Sequence, residues 1–309
     1  MQKKIFFDPI KKRALSFKEI NTSEGICNLF FGKELKEITK EQKEYYDKNA
    51  QIYDDVAHLT FDIQNENEQK IRDDFITWLN LESNHTVLDL SCGTGKDSVG
   101  IAQKLKNGSL YCADISKEML KKCKEKVDRY DIDVTYCLAN AEHLPFKDNS
   151  FDRLISFGGL NVFGDIEQAL QEMARVVKPG GKVLVGDESM PPWLYDTEFG
   201  KILLNNNPLF TFEIPLKEIP VEARNVIVRW IIGGVYYMIE FDVGEGEPQG
   251  NFDLLIPGTR GGTLNTRYYG KLEGVTKELK SMVIKQAQNE DKSIHQWLNE
   301  NLSKILEIK

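Results

Sequence analysis

Val87-Leu88-Asp89-Leu90-Ser91-Cys92-Gly93-Thr94-Gly95 is the stretch that decides the fold of this 309-residue chain. Its apolar start predicts a buried strand, its glycines predict a turn, and residues 96–105 follow with apolar side chains at helical spacing. A strand, a glycine turn and a helix in this order place free backbone N–H groups and the positive end of a helix beside a small ligand. We expect glycine at 93 and 95 because a side chain would hold the ligand off the backbone. The alternative is an ordinary strand-to-helix turn that binds nothing.

Strand and helix patterns alternate along the chain around this stretch. We predict strands over residues 86–90, 109–113, 134–138, 151–157 and 182–187, and helices over 96–105, 116–129 and 165–177. Two further strands, 226–232 and 235–243, are joined by Gly233-Gly234, which is typical of a two-residue hairpin turn. Nearly continuous apolar strands that alternate with helices predict the α/β class, with a parallel sheet covered on both faces.

The composition is that of a globular chain without a membrane-spanning segment. Hydrophobic residues make up 41% of it, and no apolar run approaches the roughly 18 residues of a transmembrane helix. The basic N-terminus is not followed by the apolar core of a signal peptide, so we expect a cytoplasmic protein with no membrane insertion. The five cysteines, at 27, 92, 112, 123 and 137, show no CxxC pair and no ligand spacing, so we expect reduced thiols and no metal site.

The net charge of −8 is unevenly distributed along the chain. Residues 1–40 hold nine basic and five acidic side chains, and residues 259–309 hold nine and six, which leaves −15 for residues 41–258. So acidic a central region would repel a polyphosphate. We therefore do not expect nucleic acid to be its substrate.

Four segments follow from these patterns. Residues 1–40 predict an N-terminal arm with one helix, and residues 41–243 predict the ligand-binding domain, which begins with helices before its first strand. The Gly-, Glu- and Pro-rich residues 244–258 predict a linker. Residues 259–309 predict an appendage of one strand, at 263–272, and two helices, at 276–288 and 293–306.

Polar residues at the ends of the predicted strands suit an adenosine-type ligand. A dinucleotide fingerprint needs a third glycine where this chain has Ser98, which disfavours a hydride-transferring enzyme. The carboxylate of Asp89 would suit a ligand with an ammonium or sulfonium group. Asp114 ends the second strand, where a carboxylate can accept hydrogen bonds from both ribose hydroxyls. Ile115 would cover one face of an adenine, and the Asn140 amide offers a donor and an acceptor to its edge.

Five motifs in order carry a resemblance to a known family. They are VLDLSCGTG (87–95), YCADIS (111–116), LANAEHLPF (138–146), FDRLISFGGL (151–160) and MARVVKPGGKVLV (173–185). Over residues 41–242 the chain resembles the class I S-adenosylmethionine-dependent methyltransferases, in the small-molecule branch that includes the ubiquinone and menaquinone methyltransferases. The resemblance implies a Rossmann-like, doubly wound sheet of seven strands closed by the antiparallel hairpin. It also implies S-adenosylmethionine as the cofactor and a small molecule as the methyl acceptor.

The same resemblance implies roles for the residues around the first two strands. Gly93 and Gly95 would let the backbone approach the methionine part of the cofactor, with Asp89 near its ammonium group. Asp114 would bind the ribose hydroxyls, and Ile115 would pack on the adenine.

Further roles are implied on either side of this region. Asn140 and Ala141 would meet the adenine edge, although the family usually has Asp at position 140. Phe157 would border both the cofactor and the substrate. The segment YYDKNAQIYDD, at 45–55, resembles the helix that precedes the core in this branch, which puts Tyr46 over the cofactor. The segment SFGGLN, at 156–161, lacks the Asn/Asp-Pro-Pro-aromatic pattern of enzymes that methylate nucleic-acid amines.

Methyl transfer needs a nucleophile held in line with the sulfonium methyl, about 3 Å away and with water excluded. A base is required only if the acceptor must lose a proton. The sequence marks no catalytic residue and no acceptor; the candidate bases are His143, Tyr46, Asn161, Asp187 and Glu188. Bulky side chains between 188 and 225 are expected to line the acceptor pocket, although they would fit a plain core equally: Trp193, Tyr195, Phe199, Phe210 and Phe212.

The C-terminal segment resembles the ribbon-helix-helix module of small repressors and antitoxins. In that module two chains pair their strands into one ribbon, so the resemblance implies a homodimer formed through residues 259–309. The predicted ribbon carries Arg260, Arg267 and Lys271, which leaves DNA binding as an alternative, and a lid over the site as another. The second hypothesis for the whole chain is therefore a ligand-sensing regulatory or DNA-binding protein.

Overall fold

A computed structural model of the chain describes residues 5–16, 19–30, 35–259, 261–270, 272 and 274–307. The chain divides into two compact units, residues 1–248 and residues 249–309. The boundary falls inside the predicted 244–258 linker, but the predicted N-terminal arm belongs to the first unit and is not separate from it. Within the described ranges, no helix has both the length and the apolar character needed to cross a membrane.

Strands form the centre of the first unit. They are β1 (Phe7–Asp8), β2 (Arg13–Ala14), β3 (Asn21–Ser23), β4 (Ile26–Asn28), β5 (Thr86–Leu90), β6 (Ser109–Asp114), β7 (Asp133–Leu138), β8 (Phe151–Phe157), β9 (Val177–Glu188), β10 (Ala223–Ile231) and β11 (Tyr236–Val243). The main sheet has the order β10-β11-β9-β8-β5-β6-β7-β4-β3. Strands β5 to β9 pair with one another in parallel. Strands β11 and β10 are antiparallel and complete the edge beside β9. The predicted α/β, Rossmann-like class is confirmed.

Counted over the described residues, the sheet has nine strands where seven were predicted, because β3 and β4 are added to it. Strand β4 pairs in parallel with β7, and β3 folds back on β4 with Ser23 opposite Ile26. The two residues of that turn, Glu24 and Gly25, both have positive φ angles, of 56° and 76°, as a tight hairpin turn requires. The expectation of an arm with one helix at residues 1–40 is therefore wrong: α1 begins only at Glu37, and the described residues before it include four short strands.

Helices cover both faces of the sheet. Those of the first unit are α1 (Glu37–Asn49), α2 (Tyr53–Ala57), α3 (Leu59–Asp62), α4 (Glu68–Trp78), α5 (Lys96–Lys104), α6 (Lys117–Val127), α7 (Ile166–Val176) and α8 (Glu198–Asn206). Successive side chains of a strand point to opposite faces of the sheet, so adjacent residues belong to different hydrophobic clusters. Leu88 belongs to the same hydrophobic cluster as Met173 of α7, whereas Val87 belongs to the cluster that contains Ile101 of α5 and Leu120 of α6.

The second unit is helical in the part that the structure describes, with α9 (Leu264–Tyr269), α10 (Lys277–Asn289) and α11 (Ile294–Ile305). The strand predicted at 263–272 is therefore wrong. Thr263 accepts a hydrogen bond from the Thr266 N–H at 3.1 Å and donates its own N–H to Thr266 Oγ1 at 2.8 Å, which is a helix-starting capping box. Gly270, with φ of 82°, follows the last residue of α9.

This correction removes the basis for the ribbon-helix-helix resemblance. A helix at 264–269 cannot pair with a second chain as a β-ribbon, so the homodimer predicted from that ribbon has no structural support here. Arg260 and Lys271, two of the basic residues of the predicted ribbon, lie outside the residues that the structure describes.

Candidate active site

A deep cavity opens at the carboxyl ends of the parallel strands. It encloses about 1240 Å³ of empty space, including the part that is open to solvent. The strand ends contribute residues 90–94, 114–115, 139–141, 157–159 and 188 to its lining, and the helices before β5 contribute residues 39, 42, 46, 53, 57, 60, 61 and 72. Carboxyl ends of parallel strands are where open α/β sheets bind ligands. Seven of the nine predicted site residues line this cavity: Tyr46, Gly93, Asp114, Ile115, Asn140, Ala141 and Phe157.

Gly93 and Asp114 form the floor of the cavity together. The Gly93 N–H donates to Oδ2 of Asp114 at 2.9 Å, and the Ser116 N–H donates to Oδ1 at 2.8 Å. Gly93 has a φ of 51°, and a Cβ added there would meet no atom within 4 Å, so the backbone faces open space. Burial raises the pKa of Asp114 to about 6. Each carboxylate oxygen uses one lone pair on the backbone and keeps another for a ligand.

Gly95 is needed for a different reason from the one predicted. It has a φ of 83°, and a Cβ added there would lie 2.7 Å from the Cys123 sulfur and 3.0 Å from the Cys123 Cα. The residue is absent from the cavity lining. Glycine at 95 therefore allows α6 to pack closely against the start of α5.

Asp89 also lies elsewhere than predicted. Its side chain is 2% exposed, does not line the cavity, and accepts a hydrogen bond from the hydroxyl of Ser98. Burial, and then the nearby Asp97, raise the pKa of Asp89 well above its ordinary range. Asp89 therefore lies behind the cavity lining and not on its surface. Ser98, which breaks the dinucleotide pattern, is present as the partner of this buried carboxyl group.

The loops after β6 and β7 form one end of the cavity, where Ile115, Asn140 and Ala141 lie. Asn140 Oδ1 accepts the Glu142 N–H at 3.1 Å and so caps the 3₁₀ turn at Ala141–His143. This bond uses only one lone pair of the amide, which retains two N–H donors and a further acceptor position for a ligand.

Helix α1 crosses over the cavity and is tied to the domain at both ends. Lys36, just before it, donates from Nζ to the Gly164 carbonyl at 2.8 Å, and the Ser116 hydroxyl donates to Asp47 Oδ1 at 2.6 Å. Residues three and four positions apart share one face of a helix. The residues of α1 that line the cavity have this spacing: Thr39, Gln42 and Tyr46. Of these three, only Tyr46 was predicted from the sequence, although the helical spacing of Thr39 and Gln42 from Tyr46 is the signal that could have found them.

The helices that follow supply polar and aromatic groups that sequence analysis also missed. Arg72 of α4 donates to Asp97 Oδ1 at 2.6 Å, and its guanidinium lies 5.4 Å from the centre of the Phe61 ring. Burial raises the pKa of Tyr53 to about 12. These side chains line the cavity beside the amino end of α5, where Thr94, Lys96 and Asp97 lie.

The end of β9 and the start of β11 form the opposite end of the cavity. Glu188 and Tyr236 are paired across these antiparallel strands, and the Tyr236 hydroxyl donates to Glu188 Oε1 at 3.3 Å. The ring of Phe157 lies 5.9 Å from that of Tyr236. Burial is the main cause that raises the pKa of Tyr46 and of Tyr236, and the negative charge of Glu188 adds to it.

The five candidate bases are therefore separated by position. Tyr46 and Glu188 line the cavity, whereas His143, Asn161 and Asp187 do not. The Asn161 N–H donates to Asp187 Oδ2 at 2.7 Å, and its side-chain amide donates to the Glu188 carbonyl at 2.7 Å. These two residues thus fix the loop after β8 against the end of β9.

The aromatic residues predicted to line an acceptor pocket lie outside the cavity. Trp193 is 66% exposed and packs edge-on against Trp230, at 5.7 Å between ring centres. Phe210 is buried behind Tyr236, with ring centres 5.8 Å apart. The cavity lining also lacks Tyr195, Phe199 and Phe212. Within the segment 188–225, which the structure describes throughout, only Glu188 lines the cavity. The cavity thus gives no support to an acceptor pocket lined by these five side chains.

Comparison with known proteins is consistent with this geometry. Residues 87–181, from β5 into β9, match the protein family described as "Methyltransferase domain". This segment is therefore similar to methyltransferase domains, as are the relatives that follow.

Three curated relatives share the central part of the chain. It is 39% identical over 163 residues to the ubiquinone/menaquinone biosynthesis C-methyltransferase of Klebsiella pneumoniae, covering 50% of this chain and 63% of that protein. It is 35% identical over 141 residues to the demethylmenaquinone methyltransferase of Bacillus licheniformis, covering 45% and 60%. It is 28% identical over 163 residues to the methyltransferase GfsG of Streptomyces halstedii, covering 48% and 58%. The chain therefore spans less than two thirds of the length of each relative.

Proposed function

We propose that the protein transfers a methyl group from S-adenosylmethionine to a small-molecule acceptor. The observation that carries the proposal is the open Gly93 backbone, bonded to the buried carboxyl group of Asp114, at the floor of a cavity in the methyltransferase domain. When bound, S-adenosylmethionine supplies a sulfonium methyl group that is already activated toward a nucleophile.

The residues of the cavity fit this cofactor along its length. The space that a Cβ at position 93 would fill is open, so the cofactor can approach the backbone there. Asp114 would accept hydrogen bonds from the ribose hydroxyls, and Ile115, Asn140 and Ala141 would hold the adenine. At the amino end of α5, Lys96 and Asp97 offer opposite charges to the carboxylate and the ammonium group of the cofactor's methionine part. The sequence alone had predicted Asp89 as the partner of that ammonium group.

The chain itself would orient the reactants and exclude water. Residues of α1 line the cavity, and Phe157 ends β8, the strand that lies between β5, which precedes Gly93, and β9, which ends at Glu188. We assign the acceptor to the end of the cavity at Glu188, because the groups that suit adenosine lie at the other end. A closed, oriented pair of reactants is the main requirement of an in-line displacement.

The names of two relatives make a quinol the first acceptor to test. We expect the protein, given S-adenosylmethionine and reduced demethylmenaquinone, to release S-adenosylhomocysteine and a methylated quinol, as followed by mass spectrometry. Duplex DNA in place of the quinol should give no product. Turnover on DNA alone, or no binding of the cofactor at all, would contradict the proposal.

The rival hypothesis of a DNA-binding regulator is not favoured. It depended on a C-terminal ribbon, and the residues at 264–269 form a helix.

A further inference from the structure

Among the residues that the structure describes, three carboxyl groups line the cavity, and their surroundings differ. Asp97 is paired with Arg72 at 2.6 Å, and Asp114 accepts two backbone N–H groups. Glu188 accepts the hydroxyl of Tyr236 at 3.3 Å, and within the part of the chain that the structure describes it forms no ion pair with Lys, Arg or His. A carboxylate with so few strong donors keeps lone pairs that can accept a hydrogen bond from a ligand.

Glu188 lies well away from the groups that suit adenosine. Strands β8 and β5 separate β9, which ends at Glu188, from β6, which ends at Asp114. Three strand spacings of about 4.8 Å put the two carboxyl groups roughly 14 Å apart across the sheet. A cofactor whose ribose is held by Asp114 therefore leaves Glu188 for a second molecule.

The surroundings of Glu188 are aromatic. The rings of Phe157 and Tyr236 are 5.9 Å apart, and Tyr46, Tyr53 and Phe61 also line the cavity. Flat apolar groups pack well against such rings in stacked or edge-on arrangements. The site thus combines a surface for a flat ring with one carboxylate that can accept a proton.

On the basis of the proposed function, we propose that Glu188 is the proton acceptor of the reaction and that the acceptor is an aromatic ring bearing a hydroxyl group. The acceptor hydroxyl gives its proton to a Glu188 carboxylate oxygen, and the electron pair left on the acceptor oxygen forms the bond to the methyl carbon. The bond between that carbon and sulfur breaks, and its electron pair stays on sulfur. The negative charge of Glu188 and the positive charge of the sulfonium group are both neutralised.

The neighbouring Asp187 supports this assignment. It is buried, and burial, followed by hydrogen bonding to the Glu188 side chain and by the charge of Glu188, raises its pKa well above the ordinary range. Asp187 therefore holds a proton more readily than an exposed aspartate would, and it lies outside the cavity lining. Of these two adjacent carboxyl groups, Glu188 is therefore the one that a ligand in the cavity can reach.

Two naphthalene probes test the assignment on the full-length protein saturated with S-adenosylhomocysteine. Calorimetry should show that 1-naphthol binds at least about tenfold more tightly than 1-methoxynaphthalene, which has the same ring but no hydroxyl donor. The substitution Glu188→Met, which keeps the length of the side chain and removes its oxygens, should abolish this preference. Glu198→Gln, on the exposed first turn of α8, should leave it unchanged.

A second measurement separates proton transfer from simple hydrogen bonding. With S-adenosylmethionine, the wild-type protein should convert 1-naphthol to 1-methoxynaphthalene, and Glu188→Gln should lower kcat about 100-fold or more, since an amide cannot take the proton. The amide still accepts a hydrogen bond, so naphthol should bind to Glu188→Gln within about tenfold of the wild-type affinity.

The results distinguish a failure of the role of Glu188 from a failure of the proposed function. No preference for 1-naphthol, no turnover of bound 1-naphthol, or full activity in Glu188→Gln would overturn the role of Glu188, even if S-adenosylhomocysteine binds normally. Failure of the wild-type protein to bind S-adenosylhomocysteine would instead overturn the proposed function.

Discussion

The backbone N–H of Gly93 donates to Oδ2 of Asp114 across 2.9 Å, although the two residues are 21 positions apart in the chain. This bond joins the turn after β5 to the end of β6. The floor of the cavity is therefore preformed, and a ligand need not order the glycine turn when it binds. Preformed sites lose less conformational entropy on binding.

The substitution Asp114→Asn should weaken the binding of S-adenosylhomocysteine about 10- to 100-fold, because hydrogen bonds to a charged group are worth roughly 1.5–3 kcal/mol. An amide also turns its NH₂ group toward one of the two N–H donors that now bind the carboxylate. Calorimetric titration measures the loss, with the melting temperature as a check of folding. Unchanged affinity would show that Asp114 does not hold the cofactor.

The affinity for the cofactor should fall as the pH is lowered through about 6, the value to which burial raises the pKa of Asp114. If only the carboxylate binds, the dissociation constant rises by at most about tenfold per pH unit below that value. Stability should move the other way. The folded chain binds this proton more tightly than the unfolded chain, whose pKa is near 3.8, so this group lowers the stability as the pH rises from 3.8 to about 6. Titrations between pH 5 and pH 8, repeated on Asp114→Asn, isolate the contribution of this group.

Alanine at the two glycines should have different effects. Gly95→Ala should destabilise the fold by about 1–3 kcal/mol, because its Cβ would contact Cys123 and its φ is positive. Gly93→Ala carries mainly the cost of a positive φ, about 1–2 kcal/mol, but its Cβ would enter the cavity. Chemical denaturation and calorimetry should thus show the larger stability loss at 95 and the larger affinity loss at 93. The reverse order would contradict the assignment of Gly93 to the ligand.

The substitution Thr39→Val should stabilise the folded protein. Its hydroxyl is buried and, within the described part of the chain, has no hydrogen-bond partner, whereas the buried Thr94 hydroxyl donates to Asp54 Oδ1 at 2.7 Å. An unsatisfied buried polar group costs about 1–3 kcal/mol, so Thr39→Val should raise the free energy of unfolding by up to about 1 kcal/mol. Thr94→Val, the matched control, should lower it. Equal losses in both variants would mean that the Thr39 hydroxyl is satisfied.

The central alternation of strands and helices could be predicted because its signals are local. Apolar runs, helix spacing and the Gly233-Gly234 turn each depend on a few adjacent residues. Strands β3 and β4 were missed because segments of three residues carry no periodicity, and their pairing with β7 is a contact between distant parts of the chain. At Thr263, the aromatic and β-branched residues that follow favour a strand, but the capping box and Gly270 stabilise a short helix.

Part of the candidate site could be predicted because its motifs are also local in sequence. Motif positions at strand ends identified Gly93, Asp114 and Asn140, because carboxyl ends of parallel strands converge. The direction of a side chain within the fold is not a local property. Asp89 and Gly95 lie in the same motif as Gly93, yet one bonds to Ser98 and the other packs against Cys123. The pairing of Glu188 with Tyr236 depends on the register of β9 with β11, which the sequence does not show.

The most direct test of the account is a calorimetric titration of the full-length protein with S-adenosylmethionine, S-adenosylhomocysteine and NAD. We expect one site of micromolar affinity for the two adenosyl sulfur compounds and no heat with NAD. No heat with either sulfur compound, together with binding of NAD, would contradict it.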